Sequence, residues 1–498
     1  MVQRKSLFVP VIVLLSLGIV CLFAVMAGGD VDFGQRDSPE YYASGLSIVE
    51  GRGLTVPFGE PGGHLTLDAP SSPLTFYPPG FPVVFGLLVW AGIPATAAPV
   101  TLQACLAGAL GAALGYQVWR VTSSWVRSMV AALAGWSAGL YLGDEFLSEP
   151  LYLLVVALVI SCLARYMGER RTSILVIGSL LAACASLVRV IGVALALPAA
   201  MAVVLSGVAR QRVWKRLAVV ATMIIPVGLW FLSTSHGSPL GFAFHPFGLT
   251  DLKVAATSLS IWVVPLQVPY GLRVALAAVV AGALLSVLLA HGGKPLRTGN
   301  GGSLSSLWMA YALAHLGLLV AVMSFANGQT EADTRQLAPV GLAFVIAVLS
   351  GTPASKTSTA MLTSVAVAVV GIGIAGFVGL KTESGYGEEP WSSSNALEYI
   401  QELETRFVLS NSPDGIWINT RRSTYSIPSA VNPWTERPNP RISDELREVQ
   451  DLADEEHVVL VYFENVNRDY FVEPEIFIRS GFEISRRFSD AIVLTNSR

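Results

Sequence analysis

Apolar residues fill the first three quarters of the chain in blocks of roughly twenty, about the length of helix that crosses the ~30 Å hydrocarbon core of a bilayer. Such blocks fall near 7–27, 97–118, 126–142, 150–167, 172–188, 190–207, 216–233, 272–291, 303–323, 336–350 and 358–380, eleven expected membrane helices. Two shorter stretches, 80–93 and 254–266, are broken by proline. They are expected to lie at the interface or to dip and return, because irregular backbone at membrane depth needs protein or a cavity around it. Beyond residue 394 the pattern changes. Asn395–Arg406 and Ser443–Glu456 carry apolar residues at helical spacing, and Tyr470–Arg479 is expected as a third helix, ended by Gly481. Phe407–Asn411, His457–Phe463, Phe482–Ser485 and Ala491–Leu494 have strand patterns. Strands alternating with helices predict a small α/β sheet domain. The expected fold class is therefore an α-helical polytopic membrane protein of about 11 transmembrane helices, residues 1–380, with residues 28–96 as its first outer loop. A linker at 381–393 leads to a C-terminal extracytoplasmic α/β domain at 394–498.

Composition sharpens this picture. Of the 498 residues, 53% are hydrophobic and 13% charged, against ~25% charged in ordinary soluble domains. A soluble or disordered chain is excluded, and a net charge of −3 argues against a nucleic-acid partner. The charge is divided: residues 1–380 carry a net +6 and residues 381–498 a net −9. With a cytoplasmic N-terminus, 14 of the 20 Lys and Arg before residue 381 fall in inner loops, and 13 of the 14 acids fall outside. That is the charge bias of a plasma-membrane protein in this orientation. Eleven spans then put the tail outside too. Val25-Met26-Ala27 resembles a signal-peptide cleavage site, but the apolar run before it exceeds the usual ~7–15 residues. It is read as a retained span. The four cysteines, Cys21, Cys105, Cys162 and Cys184, all lie in apolar runs and are read as buried small residues.

The first outer loop has helix-start grammar. In Gly34-Gln-Arg-Asp-Ser-Pro-Glu-Tyr-Tyr-Ala43, Ser38 can cap, Pro39 suits the first helical position and Glu40 the first turn. The helix runs from Tyr41 to Glu50 and stops at Gly51. Asp37 stands just before its N-terminus, where the dipole favours a carboxylate. It can either help cap the helix or act on an acceptor hydroxyl or amine. Phe76-Tyr-Pro-Pro-Gly-Phe-Pro82 follows and is expected to wall a cavity.

Taken in order, Arg36-Asp-Ser-x-x-Tyr41, Glu50-Gly-Arg-Gly53 and Tyr77-Pro-Pro-Gly-Phe-Pro82 resemble the GT-C superfamily of polytopic glycosyltransferases. Its members include protein O-mannosyltransferases and lipid A aminoarabinose transferases. Leu147-Ser-Glu-Pro150, Leu187-Val-Arg-Val-Ile-Gly192, His245-Pro246, Trp262-Val-Val-Pro265 and Asp333-Thr-Arg-Gln-Leu-Ala-Pro339 extend the resemblance over residues 1–380. It implies transfer of a sugar, mannose or a related one by default, from a polyprenyl-phosphate carrier to an acceptor on the outer face, with inversion. Asp37 matches the catalytic carboxylate. The second acid falls among Asp144, Glu145 and Glu149, with Glu149 taken for the role. Tyr41, Arg189, His245, Arg335 and, more weakly, Lys253 are the substrate-side candidates.

Arginine offers a fixed fork of donors to an anionic oxygen, so Arg189 and Arg335 suit a phosphate clamp. Snorkelling of Arg189 to the interface and local salt bridges of Arg335 to Glu331 or Asp333 are the alternatives. Gln336 stands where relatives often carry tyrosine. No cofactor is implied: Asp37 with Glu40, or Asp144 with Glu145 and Glu149, could hold a divalent cation, but no metal-ligand spacing argues for one. The expected partners are the lipid-linked donor, membrane lipid, and an acceptor left open among protein, lipid and glycan. The competing functions are a transporter or flippase, which would carry ionisable groups at mid-span, a glycan polymerase or ligase, and an inactive relative.

Overall fold

The computed structural model describes residues 2–26, 33, 37–59, 65, 67, 71–143, 145–206, 210–234, 248–261, 269–275, 278, 282, 300–325, 333–351, 386, 391–432, 437–466 and 468–496. The expected helix at 358–380, most of that at 272–291, most of the linker, Asp144 and His245 lie outside the described residues.

The membrane part opens with α1 (Val2–Met26) and the loop helices α2 (Ser38–Val49) and α3 (Gly80–Trp90). Helices α4 (Ala98–Thr122), α5 (Trp125–Leu142), α6 (Glu149–Glu169) and α7 (Thr172–Val188) follow. A 3-10 segment, Val190–Leu195, leads into α8 (Ala196–Leu205). Then come α9 (Arg210–Ala221), α10 (Ile225–Thr234), α11 (Leu249–Ile261), α12 (Asn300–Phe325) and α13 (Thr334–Gly351). Small residues let these helices approach closely. A Cβ added to Gly139 on α5 would lie 2.6 Å from the Ala107 backbone on α4.

Among the described residues, six segments are long and apolar enough to cross a membrane: Phe8–Val25, Ala98–Thr122, Glu149–Glu169, Arg212–Ser233, Ser303–Ser324 and Thr334–Gly351. They coincide with six of the eleven expected blocks. The blocks at 172–188 and 190–207 are shorter apolar helices, separated where the chain turns extended at Arg189. The block at 126–142 is the 18-residue α5, most of which is buried against its neighbours. The interrupted stretch at 80–93 forms the 11-residue α3, which starts directly after Pro78-Pro79. Of that at 254–266, the described part, 254–261, forms the end of α11.

The cysteine reading also changes. Cys21, Cys105 and Cys184 are exposed on their helices and only Cys162 is half-buried. In a membrane bundle, apolar positions face outward as well as inward.

The tail carries α14 (Asn395–Glu402), β3 (Phe407–Ser410), α15 (Pro413–Thr420), β4 (Tyr425–Ser426), α16 (Ile442–Glu455), β5 (Val458–Phe463), α17 (Pro474–Arg479), β6 (Phe482–Arg487) and β7 (Ala491–Asn496). Two short strands, β1 (Thr55–Val56) and β2 (Ser72–Pro73), pair in the outer loop. The tail sheet has the order β4-β3-β5-β7-β6; β4, β3 and β5 are parallel, and β7 is antiparallel to both β5 and β6. Its central strand β5 is buried along its whole length, as a strand covered on both faces should be. Val458, Leu460 and Tyr462 enter one core, and Val459, Val461 and Phe463 the other.

The tail does not complete its cores alone. Leu65 of the outer loop joins Leu409, Tyr425 and Ile427 in the first, and Phe33 packs on the second. The Phe33 carbonyl accepts from the Tyr386 amide at 2.9 Å. Arg421 donates to the Tyr42 hydroxyl at 3.1 Å and stacks over Trp417, 4.5 Å from the ring centroid. Ion-paired Asp414 and Arg468 (2.6 Å) hold Tyr386 within the tail, its hydroxyl donating to Asp414 at 2.9 Å.

Candidate active site

Four helix ends meet beneath the loop that follows α1. Pro39 starts α2 and Asp37 is its N-cap residue, but its side chain makes no capping bond. The carboxylate is thus released from capping and turns to Arg335. Arg335, in the first turn of α13, gives Nη2 to both Asp37 oxygens, at 3.0 and 3.1 Å. Its Nε and Nη2 also reach Glu149 Oε1, each at 2.8 Å. Glu149 is the first residue of α6, before Pro150. The same Oε1 takes Arg189 Nη1 at 2.5 Å. Arg189 sits where α7 has ended (φ −145°, ψ 130°), so its side chain leaves the helix axis at the break. Its Nη1 also lies 3.4 Å from Ser148 Oγ, which in turn meets the Tyr41 hydroxyl at 3.2 Å.

The two carboxylates are buried and the two arginines nearly so: the side chains of Asp37, Glu149, Arg189 and Arg335 are 7%, 1%, 14% and 15% exposed. Two carboxylates and two guanidiniums balance. Glu145 and Asp333 lie within electrostatic reach of Arg335 as well, so this arginine is the hub of the acidic groups. Glu149 Oε2 is buried without a hydrogen-bond partner among the described residues. An atom of this kind is satisfied by a donor from water or ligand.

The loop motif at 77–82 shapes the site from above. Tyr41 packs edge-on against Tyr77 and Phe81, with ring centroids 5.3 and 5.1 Å away. Burial, reinforced by the Asp37 carboxylate, raises the Tyr41 phenol well above its ordinary range, so it stays protonated. Gly80 presses on the end of α7. A Cβ there would stand 2.7 Å from the Leu187 carbonyl oxygen, two residues before Arg189.

A second polar group lies alongside, inside the helices. Tyr311 and His315, one turn apart on α12, meet Tyr152, one turn beyond Glu149 on α6. Tyr311 donates to Tyr152 at 2.9 Å, and its hydroxyl lies 3.2 Å from His315 Nδ1. His315 Nε2 faces the Gln336 carbonyl at 3.0 Å.

Asp37, Glu149, Arg189, Arg335 and Tyr41 are therefore one cluster. Lys253 does not join these ion pairs; it is exposed on α11, 5.9 Å from the Tyr270 ring centroid. Ser148, Tyr152, Tyr311 and His315 were not singled out from the sequence. Their signal was present as polar residues spaced three or four apart in apolar helices, marking one face. Among the described residues, no group of three or more His, Cys, Asp or Glu side chains could hold a metal ion.

No family model and no curated protein matches the chain.

Proposed function

We propose that the protein is an inverting, GT-C-like membrane glycosyltransferase that moves a sugar from a polyprenyl-phosphate carrier to an acceptor on the outer face. Eleven spans, an outer tail and a plasma-membrane location belong to the same reading. The observation that carries it is the buried ion-pair cluster of Asp37, Arg335, Glu149 and Arg189, formed where the first outer loop meets three helix ends. Group transfer from a lipid phosphate needs an oriented carboxylate, a cation for the departing phosphate and a water-poor enclosure.

Arg335 fixes the orientation of the Asp37 carboxylate. Asp37 takes the proton from the acceptor hydroxyl as its oxygen attacks the anomeric carbon. The bond from that carbon to the phosphate oxygen breaks on the opposite side, and polyprenyl phosphate leaves with the electron pair. The two arginines divide the work. Arg335 is committed to three carboxylate oxygens, whereas Arg189 contacts one carboxylate oxygen and a serine. Arg189 is the cation that turns to the departing phosphate, joined by His245 and Lys253. Tyr41 and Ser148 hold its fork, and Glu149 Oε2 receives a hydroxyl of donor or acceptor. No cofactor or metal enters this scheme.

The test compares the unfolding temperature of the purified chain with polyprenyl phosphate and with neutral polyprenol. A ligand at about 100 times its Kd stabilises by ~2.7 kcal/mol. Stabilisation by the phosphate alone, lost in Arg189→Ala, is expected. Equal effects of phosphate and alcohol would contradict the reading. Transport is the second reading, favoured by one observation: His315, an ionisable residue, is buried in the middle of α12. It predicts solute or lipid flux in proteoliposomes that survives Asp37→Asn.

A further inference from the structure

We infer that His315 is a positioning residue that holds Arg335 against Glu149 from within the membrane-spanning helices; its link to substrate rests on the transfer reading of that same site. Pro339 lies within α13. Proline has no backbone N–H, so in the helix Thr334–Gly351 the carbonyl of Arg335, four residues earlier, has no intrahelical donor. The turn that carries Arg335 is thus under-bonded at its own backbone. Two groups outside the helical ladder hold it. Asp333 Oδ1 accepts from the Gln336 amide at 2.8 Å. His315 Nε2 lies 3.0 Å from the Gln336 carbonyl; a carbonyl only accepts, so Nε2 carries the proton and donates.

The other face of the ring reaches α6. His315 Nδ1, unprotonated in this tautomer, accepts from the Tyr152 hydroxyl at 3.5 Å, and Tyr152 in turn accepts from Tyr311 at 2.9 Å. Tyr152 is one helical turn from Glu149, so the chain Tyr311–Tyr152–His315–Gln336 ties the two segments that present the paired charges. All three side chains are buried, at 0%, 0% and 1% exposure. In that setting a hydrogen bond has no water to replace it, and loss of one partner is felt by the other. Gln336 contributes only its backbone, so its side-chain identity does not bear on the brace.

The deciding measurement is the Nε–H resonance of Arg335, read by NMR on the full chain in bilayers with labelled arginine and assigned by Arg335→Lys. That proton faces Glu149 Oε1, which lies 2.8 Å from the nitrogen. It is expected to be downfield and slow to exchange in the wild type, shifted and fast-exchanging in His315→Leu, and restored in His315→Gln, which returns an N–H donor. Gln117→Leu is the control. It removes two buried bonds, from Trp308 to Gln117 at 3.2 Å and from Gln117 to the Ala157 carbonyl at 2.6 Å, away from the charged cluster; it is expected to lower the unfolding temperature and leave the Arg335 resonance unchanged. An unchanged resonance in His315→Leu overturns the inference, as does an equal change in Gln117→Leu. Polyprenyl-phosphate affinity, measured on the same variants, is expected to fall about tenfold in His315→Leu, the scale of one lost buried hydrogen bond, and to return in His315→Gln. If the wild type does not prefer the phosphate over polyprenol, the transfer reading falls while the resonance still decides the brace.

Discussion

At the scale of single residues, the site is a set of charges that stabilise one another only while all are present. Removing one partner of a buried ion pair leaves the other desolvated and uncompensated, which costs about 3–5 kcal/mol. Glu149, 1% exposed and facing two guanidiniums, is where this is most acute. Glu149→Ala should therefore destabilise the chain by about that amount. Arg189→Ala in the same background should add less than it costs alone, because the pair is already broken. Denaturation of the single and double variants checks both statements. A strictly additive double variant would mean that the two side chains do not interact.

The residue scale also shows what could be read in advance. The sequence reading left Asp37 open between a capping role and a chemical one, because both use a carboxylate at a helix N-terminus. The absence of a capping bond and the two bonds from Arg335, 298 positions away, decide where the side chain goes. No local pattern encodes a partner at that distance. His315 was overlooked for a related reason: a single histidine in a long apolar run has no meaning until Tyr152 and Gln336 are brought beside it.

At the scale of elements, the site depends on how helices end. Arg189 is usable because α7 stops before it, and Gly80 lets α3 begin against that end. Gly80→Ala would put a methyl group 2.7 Å from the Leu187 carbonyl oxygen. It should cost about 1–3 kcal/mol, as overpacking does, and disturb Arg189. A lower unfolding temperature together with weaker polyprenyl-phosphate binding is the expected result. Helix identity was legible from the apolar blocks, and α2 with its stop at Gly51 was legible from turn residues. The start was not: Asp37, not Ser38, is the cap position. In the tail, Ser443 was expected to cap, but the helix begins at Ile442. The third helix is shorter than expected, Pro474–Arg479, because Pro474 suits a first turn. Helix α15 and strand β4 were not anticipated, being too short to show a period.

The tail offers a pH test at this scale. Burial raises the phenols of Tyr386, Tyr462 and Tyr470, the last to about 12. The folded state thus favours their protonated forms. That contribution is complete below the ordinary tyrosine value of ~10 and is lost as pH rises through the folded values. The tail's unfolding temperature, followed by near-ultraviolet circular dichroism, should fall from about pH 10 upward. Tyr470→Phe should make the decline shallower. A flat profile across that interval would contradict the burial of these phenols.

At the scale of the whole molecule, the tail and the loop that follows α1 form one folded unit over the charged cluster. Leu65 and Phe33 complete tail cores, and Arg421 joins Tyr42 on α2 to Trp417 in the tail. The composition shift near residue 380 marked a separate region, yet gave no sign of this shared core. Residues from distant parts of the sequence supply it, which no local periodicity reveals. Arg421→Ala removes a hydrogen bond and two cation–π contacts, the latter worth about 0.5–2 kcal/mol each. It should raise the rate at which limited proteolysis frees the tail, with little change in the unfolding of the membrane helices. An unaltered cleavage rate would show that the apolar contacts alone hold the tail.

The most direct test of the central claim is release of polyprenyl phosphate from a panel of polyprenyl-phosphate sugars by the purified full chain in nanodiscs, with candidate acceptors supplied. The account predicts acceptor-dependent release by the wild type and none by Asp37→Asn, with the variant still folded and still binding polyprenyl phosphate. Release that continues undiminished in Asp37→Asn would contradict it.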